Sequence, residues 1–253
     1  LKLDDIVDGY DLKARVAPTA ITFLPILFTI YYCFPALYNS PFLAAGSGLI
    51  SMALIYLCSM IVRFLGLREQ DRLWRLWGGP PSTRFARYRD GRFNVEQKKR
   101  IRMALTKSFQ LDLPSDEEEL NNLKRTDEKI EKAFLEVKEY LRQHEQSGLV
   151  DKHNIEYGFV RNLYGGRFIL CAGIVLGLLV SGYAPTAGTA WHFNTAVALN
   201  FIFALTLLPV TFFLIPEMLK RNSEIYAERA WLTFLKIAEK EPGVAGSSVP
   251  GNA

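Results

Sequence analysis

The sequence predicts an all-α integral membrane protein in which four transmembrane helices form two hairpins, a helical cytosolic domain sits between them, and several copies assemble. Three observations carry this reading. Every Lys, Arg, Asp and Glu lies in 1–15, 63–167 or 217–253, and the apolar stretches 17–37, 43–62, 168–184 and 195–216 hold none. A hydrocarbon core of about 30 Å requires about 20 apolar residues at 1.5 Å rise, and each stretch reaches or nearly reaches that length. The connections 38–42 and 185–194 are also uncharged, so all 30 basic residues fall on one face, which the positive-inside rule makes cytoplasmic. Both termini and the insert are then cytosolic.

This topology divides the chain into 1–62 (N-terminal segment and first hairpin), 63–167 (cytosolic domain), 168–217 (second hairpin) and 218–253 (C-terminal helix and tail). Asp4, Asp5, Asp8 and Asp11 stand where a signal peptide needs basic residues. Leu1 is not an initiator Met, so at least one residue is expected before it. Pro18, Pro25 and Pro35 break the hydrogen-bond ladder of the first span and invite kinks that neighbouring helices must satisfy. Asn39-Ser40-Pro41 reads as a tight turn, and the second hairpin turns between Tyr183 and Asn194, with Trp191 suited to the outer interface. The tail from Pro242 to Ala253 is Gly/Ser/Pro/Val-rich and reads as disordered.

In the insert, the second span is expected to continue as a helix past Arg63 through Trp74 and Trp77 and to stop at Gly78-Gly79-Pro80-Pro81. Ser115 and Glu118 form a capping-box signature for a helix running to about Ser147. Leu120, Asp127, Phe134 and Leu141, with Leu123, Ile130, Val137 and His144, repeat every seven residues as an a/d seam. Such a seam fits either an amphipathic helix packed within its own domain or one that pairs between subunits. His144 lacks a second ligand at metal-binding spacing. Cys33, Cys58 and Cys171 all fall in spans, where a thiol behaves as a small hydrophobe, so no metal site and no cofactor are expected.

Charge within the insert is strongly divided. Residues 63–107 hold thirteen basic and four acidic side chains, a net of +9, whereas 108–152 hold twelve acidic and seven basic, a net of −5. The basic block centres on Arg84-Phe85-Ala86-Arg87-Tyr88-Arg89-Asp90-Gly91-Arg92-Phe93, followed by Lys98, Lys99, Arg100 and Arg102. Guanidinium groups take phosphates bidentately and aromatic rings stack on bases, so this interleaving suits an oligonucleotide or cyclic nucleotide. The plainer reading is a juxtamembrane patch for anionic lipid headgroups. A second basic–aromatic cluster, 156–167, adds Arg161 and Arg167 just before the third span. If the two clusters converge, a ligand between them would couple to the ends of spans two and three.

Within the spans no acidic or basic residue lies deep, which argues against ion-coupled transport. The fourth span offers Asn200, Thr206 and Thr211, with Glu217 at its cytosolic end. Asn200 and Thr211 are three turns apart on one face. They could hydrogen-bond neighbouring helices or line a wet pore, and a ring of Glu217 would favour cations. Gly173 and Gly177 form a GxxxG step that permits close helix approach. The HExxH, GxSxG, CxxC and Walker patterns are absent, so an enzyme is not expected. An interfacial lipid-modifying enzyme using Asp90, His153 or Glu156 remains an alternative, as does a scaffold recruiting a soluble partner through the 115–147 helix.

Four spans, an inserted cytosolic domain and the Arg84–Phe93 segment together resemble the small membrane effectors of bacterial anti-phage systems, closest to the Hailong membrane effectors. The resemblance covers overall architecture and the basic segment. It implies an oligomeric ion channel in the bacterial inner membrane whose opening depolarises the cell. A short DNA product, made by a partner nucleotidyltransferase and bound to the cytosolic domain, would hold it shut. The phosphate contacts would then be Arg84, Arg87, Arg89, Arg92 and the Lys98–Arg102 run. Apart from the resemblance, four helices are too few to enclose a wide aqueous path, so any pore needs several copies around an axis.

Overall fold

The computed structural model describes residues 11–34, 41–144, 148–183 and 190–240, and every secondary-structure element among them is helical. Asn39 and Ser40 of the predicted turn, residues 185–189 of the predicted 185–194 connection, residues 1–10 and the tail lie outside the described residues, as does the Trp191 side chain, whereas Pro41 and 190–194 are already helical. Four helices are long and apolar enough to cross a membrane, so the chain has the make-up of a multi-pass membrane protein. The chain divides into two units: unit 1 is Leu1–Leu73 with Ile155–Asn222, and unit 2 is Trp74–Asn154 with Ser223–Ala253.

Unit 1 begins with a π-helical turn, Leu12–Val16, leading into α1 (Ala17–Cys33). The wide turn has a chemical cause. Pro18 has no N–H, so the carbonyl four residues earlier, on Ala14, loses its helical donor. Asn162 Nδ2 supplies one at 2.6 Å. Further along α1, Thr22 and Thr29 return their hydroxyls to the Pro18 and Pro25 carbonyls at 2.8 and 2.7 Å. Of the carbonyls that these prolines free, that of Ala14 is met from a neighbouring helix.

That neighbour is α7 (Gly148–Tyr183), which also packs against α2 (Pro41–Leu76). A Cβ added at Gly165 would overlap the Gly66 backbone nitrogen and lie 2.8 Å from the Leu65 carbonyl carbon, so the two backbones are in direct contact. One residue on, Gly166 faces Thr22; Gly173 faces Ile26, and Gly177 sits against Thr29 and Asn200. The GxxxG step is therefore filled within the chain, by α1 and by α8 (Ala190–Pro209), which packs on α1. Pro209 removes another helical donor, and the helix widens into a π stretch, Val210–Leu214, before continuing as α9 (Ile215–Lys240).

α2 runs past Arg63 as predicted and ends in a Schellman motif. Gly79 N–H donates to the Trp74 carbonyl at 2.8 Å and Gly78 N–H to Arg75 at 3.4 Å, with φ of 119° and 80°. Both values lie in the region that favours glycine. Unit 2 then builds α3 (Pro81–Arg84), α4 (Val95–Phe109), α5 (Asp116–Asn121) and α6 (Leu123–Arg142). Capping boxes open α4 (Asn94 with Gln97) and α5 (Ser115 with Glu118), the second as predicted.

The single helix predicted from Ser115 to Ser147 is two helices. Asn122 adopts φ −155° and its side chain caps Arg125 N–H at 3.0 Å, restarting the helix as α6, whose last residue is Arg142. Asn competes with the helical backbone for hydrogen bonds, and here it wins. From Asp127 onward the heptad seam packs inward: Ile130, Phe134, Val137 and Leu141 join Phe85, Phe93, Ile101, Leu105, Trp231 and Phe234 in the unit 2 core. The seam is an intradomain amphipathic face over these residues. Each such side chain contributes about 1.5–3 kcal/mol on full burial.

Gly165→Ala should lower the thermal unfolding temperature of detergent-solubilised protein, because overpacking a closed backbone contact costs about 1–3 kcal/mol. Gly182→Ala, where an added Cβ meets nothing within 4 Å, should leave it unchanged.

Candidate functional site

The basic segment 84–93 joins α3 to α4 through a run of turns, anchored by Phe85 and Phe93, whose rings meet edge-on at 6.0 Å. Arg84 and Arg92 both lie over the Phe85 ring, 5.3 and 5.4 Å from its centroid. Each arginine then reaches a carboxylate far away in sequence. Arg84 donates to Glu224 at 2.9 Å and to the Trp77 carbonyl at 3.1 Å, with Asp90 beside it at 3.4 Å. Arg87 grips Asp127 with two bonds of 2.8 Å and also donates to the Gly78 carbonyl. Arg89 binds Asp116, Arg92 binds Glu228, and Arg100 binds Glu239 through both oxygens at 2.8 and 2.7 Å.

The remaining predicted contacts divide differently. Lys98 donates to the carbonyls of Tyr88 and Asp90, and burial pushes its pKa down. Arg102 donates to the carbonyls of Leu113 and Pro114 at 2.9 and 2.7 Å and lies 5.4 Å from the Tyr88 ring centroid; burial lowers its pKa too. Tyr88 is 49% exposed. Lys99 is exposed and makes no hydrogen bond or ion pair among the described residues.

Electrostatic strength follows exposure. The Arg84 and Arg87 pairs are partly shielded from water, whereas both partners at Arg89–Asp116, Arg92–Glu228 and Arg100–Glu239 are substantially exposed. Pairs of the exposed kind contribute about 0–1 kcal/mol. Hydrogen bonds from Arg89 and Arg100 hold the Asp116 and Glu239 carboxyls below the usual carboxylate range, so what these contacts contribute is fully present above that range and is lost as pH falls below it, through the lowered folded-state values.

Arg161 and Arg167 belong to unit 1. Arg167 is only 3% exposed, donates to Glu69 at 2.8 Å, and has its guanidinium carbon 3.9 Å from the Tyr164 ring centroid and 4.3 Å from that of Phe168. Arg161 donates to Asn162 Oδ1 at 3.2 Å and to Gln70 at 3.4 Å, and Tyr157 donates to the same Gln70 oxygen at 2.6 Å. This cluster joins α7 to α2.

Of the residues read as pore-lining, Asn200 is 0% exposed and donates to Thr29 Oγ1 at 3.0 Å and to the Ala196 carbonyl. Its Oδ1 has no partner among the described residues. Thr211 is buried and bonds the Leu207 carbonyl. Thr206 and Glu217 are exposed, with the Thr206 hydroxyl on the Ile202 carbonyl.

Sequence reasoning missed the acidic half of the site. Glu119 is buried and accepts the Tyr88 N–H at 2.6 Å, yet in sequence it is one more acid in a helix first turn. Trp231 donates its indole N–H to the Ser82 carbonyl at 2.8 Å, tying α9 to the turn that precedes the arginines. The charge division, +9 beside −5, signalled the acids of α5 and α6, whereas Glu224, Glu228 and Glu239 lie outside the segments counted.

A double-mutant cycle on Arg87→Gln and Asp127→Asn, read by unfolding free energy, should give a coupling of about 1–3 kcal/mol, the range for hydrogen bonds to charged groups. The exposed pair, Arg89→Gln with Asp116→Asn, should couple measurably less than the shielded pair, because solvent and salt screen it. Comparison of the whole chain with protein-family models, with curated proteins and with solved structures finds no match.

Proposed function

We propose that this chain is a bacterial inner-membrane effector, both termini cytosolic, that assembles with copies of itself into an ion-conducting pore controlled by a phosphate-bearing ligand on its cytosolic unit. The observation that best supports assembly is the uneven burial of the spans. The most apolar window of the third candidate span is 44% buried within one chain, whereas those of the second and fourth are 17% buried. Two apolar helix surfaces are left for lipid or for neighbouring copies. On the fourth, Thr206 and Glu217 are exposed polar groups, and repetition around an axis would make a hydroxyl ring and a carboxylate ring that favours cations. Asn200, through Thr29, then serves to hold that helix in its own subunit.

On the cytosolic side, Arg89, Arg92, Lys99 and Arg100 are the cations a nucleotide or short single-stranded DNA reaches at least cost. Lys99 has no partner among the described residues, the carboxylates that pair with the three arginines are exposed or half-exposed and weakly held, and phosphate accepts the guanidinium fork as a carboxylate does. Arg84, Arg87 and Arg102 hold the unit together instead. Two of the displaced partners, Glu228 and Glu239, lie on α9, the helix that also carries Glu217. Ligand exchange at these pairs would bias α9, and an open–closed equilibrium shifts by the ligand's differential affinity for the two states. The resemblance to Hailong effectors favours closure by the ligand, release and depolarisation during phage infection, and a nucleotidyltransferase as partner. A second reading, recruitment of a soluble partner through α6, draws on the exposed Leu123 and Leu135.

Ion flux from liposomes carrying the purified protein, with and without short single-stranded DNA, separates these readings. The pore reading expects DNA to change flux at least about fivefold, the lower end of allosteric coupling. The effect should weaken as salt rises and vanish in Arg89/Arg92/Lys99/Arg100→Gln. Tight liposomes in every condition would contradict it and favour the recruitment reading.

A further inference from the structure

In unit 1 a groove with a cavity volume of about 350 Å³ runs between the start of the first span and the face of α2 that ends at Arg63. Its wall is apolar: Met52, Ile55, Tyr56 and Met60, each about half exposed or more. Its mouth is charged. Arg15 borders it and is bound at 2.9 Å to Asp11, so its charge is largely met. Arg63 also borders it, is exposed, and has no hydrogen bond or ion pair among the described residues. From Met52 to Arg63 the groove covers roughly 16 Å at 1.5 Å per residue, about half of a 30 Å hydrocarbon core.

A trough one leaflet deep, apolar along its length and with an unpaired guanidinium at the end where charged sequence begins, matches an amphiphile with an anionic head. We propose that this groove is a binding site for an anionic phospholipid of the cytoplasmic leaflet. One acyl chain lies along Met52, Ile55, Tyr56 and Met60, and the phosphate accepts from Arg63. Charge complementarity selects the headgroup: Asp11 already satisfies Arg15, so among the described residues the surplus at the mouth is the single positive charge of Arg63, which one phosphodiester neutralises. The site is distinct from the cytosolic basic segment and stands whether or not the chain conducts ions.

Native mass spectrometry of the full chain released from detergent tests the site, using phosphatidylglycerol and phosphatidylcholine with identical acyl chains and glycerol 3-phosphate as the chain-free anion. Phosphatidylglycerol should be retained about fivefold over phosphatidylcholine, the effect of one basic residue near a membrane surface. Arg63→Gln should level the two lipids and Arg63→Lys should keep the preference. Met60→Trp, which fills the trough, should reduce retention of both. Because Arg63 is exposed and unpaired, its replacement leaves the fold intact, as an unchanged unfolding temperature would verify. An undiminished preference in Arg63→Gln, or glycerol 3-phosphate displacing phosphatidylglycerol at equal concentration, would overturn the assignment. So would a change of oligomeric state in Met60→Trp with lipid retention unaltered, which would make the occupant a second copy of the chain.

Discussion

A carbonyl without a donor is the constraint around which the membrane unit is built. Pro18 takes the helical hydrogen bond from Ala14, which is 1% exposed, and a buried carbonyl left unmet costs about 1–3 kcal/mol. Asn162 meets it, and Asn162 is itself 0% exposed and tied to Arg161. For that amide to be in place, α7 must approach closely, and Gly66 and Gly165 allow it by leaving no side chain between two backbones. The same logic recurs deeper in the unit, where Asn200 holds α8 to the Thr29 hydroxyl beside Gly177. Prolines that weaken α1 are thus the sites at which α7 is secured through small residues and amides.

Unit 2 solves a different problem. It carries dense charge of both signs, and its core of Phe85, Ile130, Phe134, Trp231 and Phe234 is ringed by ion pairs that join the 84–102 segment to α5, α6 and α9. A run of arginines is therefore not by itself an open phosphate site, because carboxylates of the same unit already occupy most of those forks. What such an arrangement permits is exchange. In the proposed function, the weak exposed pairs would yield to a multivalent anion at small cost, while the shielded Arg84 and Arg87 pairs would keep the unit folded, a division of labour set by solvent screening.

Much of this was legible in the chain. Uncharged stretches of about 20 residues locate the four helices, Gly78-Gly79-Pro80-Pro81 ends α2, and Ser115 with Glu118 starts α5, because each signal is local. The partners of the arginines were not legible, since Arg84 and Glu224 are 140 positions apart and charge counting cannot say which acid folds onto which base. Asn122 looked like one polar residue in a long helix; only its competition with the backbone, which depends on neighbouring helices, decides for a break. Asn200 and Arg167 illustrate the same limit. Polar types suggest a pore or a ligand, yet close packing through glycine turns both side chains toward their own chain.

The most direct test of this account is a double-mutant cycle between Asn162 and Pro18, read by thermal unfolding of the solubilised protein. Asn162→Leu should destabilise the parent by about 1–3 kcal/mol, the cost of leaving a buried acceptor unmet. In a Pro18→Ala background, residue 18 regains an N–H that can return to Ala14, and most of that loss should disappear. An equal loss in both backgrounds would mean that Asn162 serves packing alone, and that the proline-freed carbonyl does not organise the membrane unit.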